Sequence, residues 1–253
     1  MSQDVAVSET ASSRPFGKYE RFGAYHWREI QRIPTRHNAI LTARYRIVLD
    51  AVDRNARRVL DIGCGDGTLT FRLAERSDRV WGIDDSLLPL RLARAEFHRR
   101  RPRRTPFLMN ADARRLPFPN GTFDCVVLAD VIEHIDAPEA VIAEAHRVLR
   151  TGGQILLTTP RREGAVSAHE YHCHEYTGAE LADLLREQFG DVQIRVFKPT
   201  RVARLYDRKI FGRKLFRLAI NCCAIVGWNP LAKSGDLSTE LRHTDLCASA
   251  RKP

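Results

Sequence analysis

The stretch from Arg58 to Thr68, RVLDIGCGDGT, constrains the fold of this chain more than any other part of the sequence. A short apolar run contains the carboxylate Asp61, glycines follow at alternate positions, and a helical pattern runs from about Gly67 to Arg76. This order predicts a strand, a tight turn and a helix. Glycines let bare backbone approach a ligand closely, and the first N–H groups of the helix point into the same space. The stretch therefore predicts a pocket for a nucleotide-like ligand.

The spacing of the glycines narrows the choice of ligand. Gly63, Gly65 and Gly67 form G-x-G-x-G, whereas a dinucleotide is received by G-x-G-x-x-G at a helix N-terminus. Asp61 would repel a phosphate but suits a cationic head group. A nucleoside that carries an amino acid and a sulfonium therefore fits this turn better than a dinucleotide does.

Further motifs follow in a defined order along the chain. They are Gly82-Ile83-Asp84-Asp85-Ser86, Asn110-Ala111-Asp112-Ala113, Leu116-Pro117-Phe118-Pro119 and Phe123-Asp124-Cys125-Val126-Val127. Together with the glycine stretch, whose Val59–Gly67 is similar to a first family motif, this series resembles the class I S-adenosylmethionine-dependent methyltransferases. The resemblance covers roughly residues 57 to 197, with a closing strand near 245 to 251. The LPFP stretch and Glu133-His134 resemble the small-molecule branch of the family.

This resemblance implies an α/β fold with a doubly wound, mainly parallel seven-stranded sheet in the order 3-2-1-4-5-7-6 and helices on both faces. Residues 1–14, polar and rich in Ser and Ala, are predicted to be a disordered tail. Residues 15–56 are predicted to form a helical, aromatic N-terminal segment. Residues 57–253 would be the methyltransferase domain, with an insertion at about 199–242 before the last strand.

The cofactor implied by the resemblance is S-adenosyl-L-methionine. The family pattern assigns the ribose hydroxyls to Asp84, with Asp85 as a rival one position away, and a carboxylate can accept hydrogen bonds from both hydroxyls. Asp112 would meet the adenine amino group, and the backbone N–H of Ala113 an adenine ring nitrogen. Solvated loop carboxylates remain an alternative reading of these acidic residues. The other cofactor positions implied are Asp61, Gly63, Cys64, Gly65, Gly67 and Ala129.

Candidate catalytic groups follow the fourth predicted strand, Phe123–Leu128. Asp130, Glu133 and His134 would lie at the carboxyl edge of the sheet, where ligands bind in open α/β folds. His134 is the preferred general base because its ordinary pKa is near neutrality. The alternative is that Glu133 and His134 only lead into the next helix and pack there.

Two segments supply candidate substrate-pocket residues. The aromatic stretch from Phe16 to Arg28 contains Tyr25 and His26, and the loop before the predicted helix Gly178–Gln188 contains Tyr171 and His172. The aromatic stretch could instead anchor the N-terminus to the domain surface. The loop is rich in potential metal ligands, but adjacent positions on a short loop do not give a closed tetrahedral set, so no metal site is predicted.

The predicted insertion mixes cations with large apolar residues between residues 205 and 228. Its apolar part, about 14 residues interrupted by Arg217 and Asn221, is too short to span a bilayer. Three interpretations stay open: a lid over an apolar substrate, peripheral contact with an anionic membrane, and a helix pair that packs on the domain.

Composition bears on partners and location. The net charge of +10 could favour nucleic acid, but only six of the 41 basic residues are lysine, and no Asn-Pro-Pro-Tyr motif follows the fourth strand. Nucleic acid is therefore disfavoured as a partner. Six cysteines without C-x-x-C spacing predict reduced core residues, and the N-terminus lacks a signal-peptide pattern, so a cytoplasmic location is expected, with peripheral membrane contact as an option.

These patterns predict an enzyme that transfers a methyl group from S-adenosylmethionine to an oxygen, nitrogen or carbon of a small metabolite, apolar or ring-bearing. The first alternative is a methyltransferase that acts on a membrane lipid or isoprenoid quinone. A further alternative is a non-catalytic, cofactor-binding partner subunit.

Overall fold

A computed structural model describes residues 17–162, 172–207, 213–237 and 243–253. The predicted disordered tail, residues 1–14, lies outside the described residues. In the part that is described, helices cover both faces of one central sheet.

The sheet is built from strands that the apolar runs of the sequence predict. In chain order they are β1 (Arg58–Ile62), β2 (Arg79–Asp84), β3 (Phe107–Asn110), β4 (Phe123–Ala129), β5 (Leu149–Pro160), β6 (Gly190–Pro199), β7 (Ser234–Asp236) and β8 (His243–Arg251). Their spatial order is β3-β2-β1-β4-β5-β8-β6-β7. Strands β1 to β5 pair in parallel, and β8 runs antiparallel between β5 and β6.

The predicted α/β class and strand order are confirmed, since the closing strand lies between the fifth and sixth strands. The predicted number of strands is wrong, because the described sheet has eight strands rather than seven. The additional strand, β7, comes from the predicted insertion and pairs antiparallel with β6 from Arg195 to Phe197. It uses the edge of β6 that faces away from β8.

Helices and short 3-10 turns connect the strands. They are α1 (Lys18–Phe22), α2 (Tyr25–Glu29), α3 (Ala39–Ala51), α4 (Thr68–Ala74), α5 (Leu87–Arg100), α6 (Pro138–Val148), α7 (Gly178–Arg186), α8 (Thr200–Asp207) and α9 (Arg213–Ile225), with 3-10 turns at Ile132–His134 and Pro230–Ala232. The helix α7 begins with the predicted capping box, in which the Thr177 hydroxyl accepts from the Glu180 N–H and the Glu180 carboxylate accepts from the Thr177 N–H.

Each central strand buries both of its faces. In β4, Val126 and Leu128 join the core on the side of α6 and α7, whereas Cys125 and Val127 join the core on the side of α3 and α4. Alternate residues of a strand point to opposite faces, so a continuous apolar run of this kind requires helices on both sides. This arrangement is the doubly wound one.

The helices α8 and α9 pack against the start of α3. The Tyr206 hydroxyl donates to Asn221 Oδ1 (2.7 Å) and accepts from the Ala39 N–H (3.0 Å), while Asn221 Nδ2 donates to the Pro34 carbonyl (2.7 Å). Asn229 Nδ2 donates to the Ala39 carbonyl (2.7 Å). Buried hydrogen bonds of this kind fix the orientation of a segment because leaving them unmade is costly. The described part of the insertion is therefore held against the start of α3.

Candidate cofactor and active site

The glycine turn joins β1 to α4 and has the backbone that its sequence predicts. Gly63, Gly65 and Gly67 have φ values of +67°, +54° and +75°, in the left-handed region that other residues rarely adopt. A Cβ at Gly63 would lie 2.5 Å from a Val131 methyl carbon, and one at Gly67 would lie 2.7 Å from the Phe97 ring. Both the backbone angles and the space therefore require glycine.

The strand β2 brings Asp84 onto this turn. Its Oδ2 accepts a hydrogen bond from the Gly65 N–H (2.9 Å), and its Oδ1 accepts one from the Ser86 N–H (3.0 Å). Burial raises the pKa of Asp84, and the two N–H donors oppose that rise. The neighbouring Asp85 is exposed. The structure therefore places Asp84, and not its rival, against the glycine turn.

Asp61 and Cys64 are buried beneath the turn. Asp61 is 2% exposed, and its Oδ2 accepts from the Thr70 hydroxyl of α4 at 2.6 Å. Burial raises the pKa of Asp61 to about 7 and also raises that of Cys64. The Cys64 Sγ packs so closely on Gly82 that a Cβ there would lie 3.0 Å from it. Both side chains thus support the turn from the interior.

The end of β3 carries the predicted adenine contacts. Asp112 is half exposed and pairs with Arg114, whose guanidinium contacts both carboxylate oxygens at 3.0 to 3.1 Å. This pairing holds the pKa of Asp112 below its usual value. Asn110 Nδ2 and the Ala111 N–H both donate to the Asp84 carbonyl. The ends of β2 and β3 are therefore joined, and Ala113 follows on the same edge.

The N-terminal segment lies on the glycine turn through Asp66. The fully buried Asp66 carboxylate accepts from the His26 N–H (3.1 Å) and lies 3.2 Å from His26 Nδ1, and its backbone carbonyl accepts from Trp27 Nε1 (2.6 Å). Its own N–H donates to the Tyr19 hydroxyl at 3.3 Å. The Tyr25 ring packs on the rings of Tyr19 and His26 with centroids 5.4 and 4.1 Å apart.

His26 was predicted from the sequence as a pocket residue, and the structure places it on the glycine turn, bonded to Asp66. Sequence reasoning missed Asp66 itself. The available signal was a carboxylate between two glycines of a turn that follows a segment rich in aromatic N–H and O–H donors.

The turn after β4 holds the predicted catalytic carboxylates. Asp130 has a left-handed φ of +54°, accepts from the Thr158 hydroxyl (2.9 Å) and forms an ion pair with Arg44 of α3. Glu133 is 1% exposed, and its Oε2 accepts from the Thr159 hydroxyl at 3.0 Å. Burial, reinforced by Asp130, raises the pKa of Glu133 well above its usual range. Ala129, also part of the predicted cofactor set, ends the strand before them.

Two further charged groups complete this region, and sequence reasoning did not single them out. Lys198 Nζ lies 2.6 Å from Asp245 Oδ1, and that carboxylate is 1% exposed. The cation Arg44 pairs with the carboxylate of Asp130, and the cation Lys198 pairs with that of Asp245. A buried cluster of this type requires such balance, because an unpaired buried charge is costly.

The loop before α7 brings His172 to His134. The two rings lie 4.9 Å apart at an interplanar angle of 73°, and His172 Nδ1 lies 2.7 Å from Glu175 Oε1. The N–H groups of Cys173 and His174 both donate to the Glu133 carbonyl, at 2.7 and 3.2 Å. The predicted base and one predicted pocket residue are thus neighbours. Tyr171, also predicted for the pocket, lies outside the described residues.

A cavity of ≈ 800 Å³ lies elsewhere, between α3, β6 and the segment from Gly227 to Ser234. Another, of ≈ 680 Å³, lies beside β3 and α5. Neither is lined by the glycine turn, Asp130 or His134, so neither is the site defined by the strand ends.

The strand order, the glycine turn and the carboxylate at the end of β2 define the class I, Rossmann-like fold of S-adenosylmethionine-dependent methyltransferases. Residues 60–157 match the family described as "Methyltransferase domain". This match and the fold together support a class I S-adenosylmethionine-dependent methyltransferase, an enzyme whose cofactor is S-adenosyl-L-methionine.

Relatives and solved structures agree with this assignment. The ubiquinone biosynthesis O-methyltransferase of Dechloromonas aromatica is 28% identical over 192 residues, which cover 75% of this chain and 76% of that protein. A protein of Mycolicibacterium smegmatis named "Probable S-adenosylmethionine-dependent methyltransferase" is 31% identical over 159 residues, covering 60% of each chain. Several other curated relatives are matched over less than half of their own length, for example 45% of a Pseudomonas aeruginosa ubiquinone biosynthesis O-methyltransferase.

Among solved structures, the phosphoethanolamine N-methyltransferase 2 of Haemonchus contortus has a similar fold. Its TM-score is 0.67 at 20% identity, and the match covers 96% of this chain and 61% of that one. That structure contains phosphomonomethylethanolamine and S-adenosylhomocysteine.

Proposed function

We propose that the enzyme transfers the methyl group of S-adenosylmethionine to an oxygen, nitrogen or carbon of a small metabolite that is apolar or ring-bearing. The observation that carries this proposal is the position of His134, Glu133 and His172, which lie together on loops that follow β4 and precede α7. Parallel strands β1, β2 and β4 end at the same edge of the sheet, so these groups share that edge with the glycine turn.

The residues of the turn fit the cofactor. Gly63 and Gly65 have left-handed backbone angles, and the Asp84 carboxylate is already oriented by two N–H donors. In this proposal Asp84 binds the ribose hydroxyls, while Asp112 and the Ala113 N–H bind adenine. The cofactor supplies an electrophilic methyl group on a sulfonium.

The chain's own contribution is mainly positioning. Methyl transfer from a sulfonium is an in-line displacement, so its rate depends on the orientation of the acceptor and on the exclusion of water. The N-terminal segment, held on the turn through Asp66, would cover the bound reactants, and Tyr25 and His26 belong to it. A base is needed only when the acceptor carries a proton that it must lose, and His134 is the group proposed for that role, with Glu133 and Asp130 around it.

Calorimetry with S-adenosylmethionine and S-adenosylhomocysteine, with NAD as the control ligand, tests the cofactor site. We expect micromolar binding of the first two ligands. Asp84→Ala should weaken this binding by at least ~10-fold, because the proposed hydrogen bonds from the two ribose hydroxyls to the Asp84 carboxylate disappear. Asp85→Ala changes the exposed neighbour and should bind normally. Equal effects of the two substitutions would contradict the assignment of Asp84.

Single-turnover methyl transfer with a screened acceptor tests the base. His134→Ala should lower the rate by ~10²-fold or more while cofactor affinity is retained. His174→Ala, which removes a nearby histidine that is bonded to Glu133 only through its backbone, is the matched control. An unchanged rate in His134→Ala would discard the proposed base.

A second candidate function is methylation of a lipid or isoprenoid quinone at a membrane surface. It is supported by exposed apolar side chains on the insertion, since Leu215, Val226 and Trp228 are 74%, 79% and 65% exposed, and Lys214 and Arg217 are exposed beside them. Apolar side chains flanked by cations are typical of segments that lie on anionic membranes. The ubiquinone relatives agree with such a substrate.

No described helix is long and apolar enough to cross a membrane. Co-sedimentation with vesicles tests the peripheral contact. Vesicles of phosphatidylcholine with phosphatidylglycerol should retain the protein, pure phosphatidylcholine should not, and the double variant Leu215→Ser, Trp228→Ser should reduce retention. Phe107→Ser, at an exposed apolar residue of β3, is the control. If the anionic vesicles retained none of the protein, or retained the unaltered protein and both variants equally, only the small-metabolite proposal would remain supported.

A further inference from the structure

Three potential metal ligands converge from two separate loops. Glu133 and His134 follow β4, and His172 precedes α7, yet one ligand atom from each lies within 4.8 Å of the other two. The loop sequence alone does not show this set, because it contains only one of the three residues. The tertiary structure supplies the other two from 38 or 39 positions earlier in the chain.

Partners outside this set fix the orientation of two of its members. Glu175, 5% exposed, lies 2.7 Å from His172 Nδ1 and so orients the ring. The Thr159 hydroxyl donates to Glu133 Oε2. Metal-binding histidines commonly donate their other ring N–H to a carboxylate, and metal-binding carboxylates are themselves hydrogen-bonded.

The two loops are also fastened to each other. The N–H groups of Cys173 and His174 donate to the Glu133 carbonyl, and Cys173 Sγ lies 3.3 Å from the His134 carbonyl oxygen. The distance between Glu133 and His172 is therefore set by backbone contacts and not by the mobile ends of long side chains. A site held in this way loses little conformational entropy when an ion binds.

We propose that Glu133, His134 and His172 bind one divalent transition-metal ion, with Zn²⁺ as the best match. Two imidazole nitrogens and one carboxylate oxygen form the His₂Glu donor set that zinc enzymes use when they keep a fourth position open for water or substrate. Carboxylate and imidazole together favour a borderline ion over Mg²⁺ or Ca²⁺, which prefer oxygen ligands alone. With Nδ1 of His172 held by Glu175, Nε2 would bind the ion.

The ion would change the role of His134 in methyl transfer. A ring nitrogen that binds a metal cannot accept a proton, so His134 would become a ligand, and an acceptor hydroxyl in the open position would be acidified by the ion instead. This consequence rests on the proposed methyl transfer, whereas the metal site itself does not.

Metal binding can be measured without any substrate. The full chain, stripped with EDTA and dialysed, is titrated with Zn²⁺ by calorimetry, and with Co²⁺ while its visible absorption is recorded. We expect one ion per chain and the intense visible bands of four-coordinate Co²⁺. His172→Ala should weaken Zn²⁺ binding by at least ~100-fold, and Glu175→Gln by ~10- to 100-fold through the orientation of His172.

His174→Ala is the matched control, because it removes an adjacent histidine outside the set, and it should bind Zn²⁺ as the unaltered protein does. Each variant must keep its affinity for S-adenosylmethionine, which shows that it is folded. Failure to bind an ion, or equal binding by the His172 and His174 variants, would overturn the site as adventitious histidine chelation. Because cofactor binding is measured separately, either result leaves the methyltransferase assignment intact.

Discussion

Asp61 makes the stability of this enzyme depend on pH in a direction opposite to that of most carboxylates. Burial raises its pKa to about 7 from an ordinary 3.8. The folded protein therefore holds a proton that the unfolded chain releases between those values. The contribution of this proton to stability is complete below about pH 3.8 and is lost as pH rises to about 7.

The magnitude follows from the same two values. At about 1.4 kcal/mol per pH unit, the difference between 3.8 and about 7 corresponds to about 4 kcal/mol of unfolding free energy. Other buried acids also titrate, so the quantity to compare is the difference between the unaltered protein and Asp61→Asn, which keeps the shape of the protonated side chain.

Urea unfolding at a series of pH values from 4.5 to 8.5 (about one step per pH unit) provides the measurement. Over this range the unaltered protein should lose about 3 of the 4 kcal/mol relative to Asp61→Asn, and the difference should level off above about pH 7. Thr70→Val removes the hydroxyl that donates to the ionised carboxylate at 2.6 Å, so it should move the loss to higher pH. Parallel stability curves for the unaltered protein and Asp61→Asn would refute the reasoning.

Three further predictions concern the contacts that hold the site together. Gly65→Ala places a Cβ 2.1 Å from the Tyr19 hydroxyl at a φ of +54°, so it should destabilise the fold by at least ~1 kcal/mol and weaken cofactor binding. Adding Tyr19→Phe should recover part of this loss in thermal unfolding. If stability did not recover, the steric cause would be contradicted. Asn221→Ala leaves the Pro34 carbonyl without its donor and should cost ~1–3 kcal/mol in urea unfolding, whereas a cost near zero would show that the insertion is not fixed there. Arg44→Met leaves Asp130 without its cation and should cost ~3–5 kcal/mol in urea unfolding, and an unchanged midpoint would contradict this prediction.

The features of the candidate site that the sequence indicates most directly depend on local chemistry. The left-handed glycines and the carboxylate at the end of β2 belong to a turn of a few residues, so motif spacing reveals them. The strand order followed from the same motifs through the family resemblance. Asp84 was preferred to Asp85 on family pattern, and its two N–H contacts supply the physical reason.

The parts that the sequence did not predict depend on contacts between distant segments. Asp66 is bonded by His26 and Trp27, about 40 positions earlier, and no periodicity marks such a pair. Strand β7 has the sequence Ser-Gly-Asp, which has low β-propensity, and it forms because the edge of β6 is available. The approach of His172 to His134 likewise depends on how two loops pack.

The packing of α8 and α9 on α3 has a consequence for synthesis on the ribosome. The hydrogen bonds of Asn221 and Asn229 to the region around α3 join residues 187 and 190 positions apart, so α3 emerges long before its partners exist. During that interval Ala39 and Ala43, fully buried in the finished protein, lack part of their cover. Long-range contacts of this kind slow folding, and apolar surface stays exposed until the distant segments that cover it have been made. The nascent chain therefore reaches its final arrangement around α3 only after Asn229 has been translated.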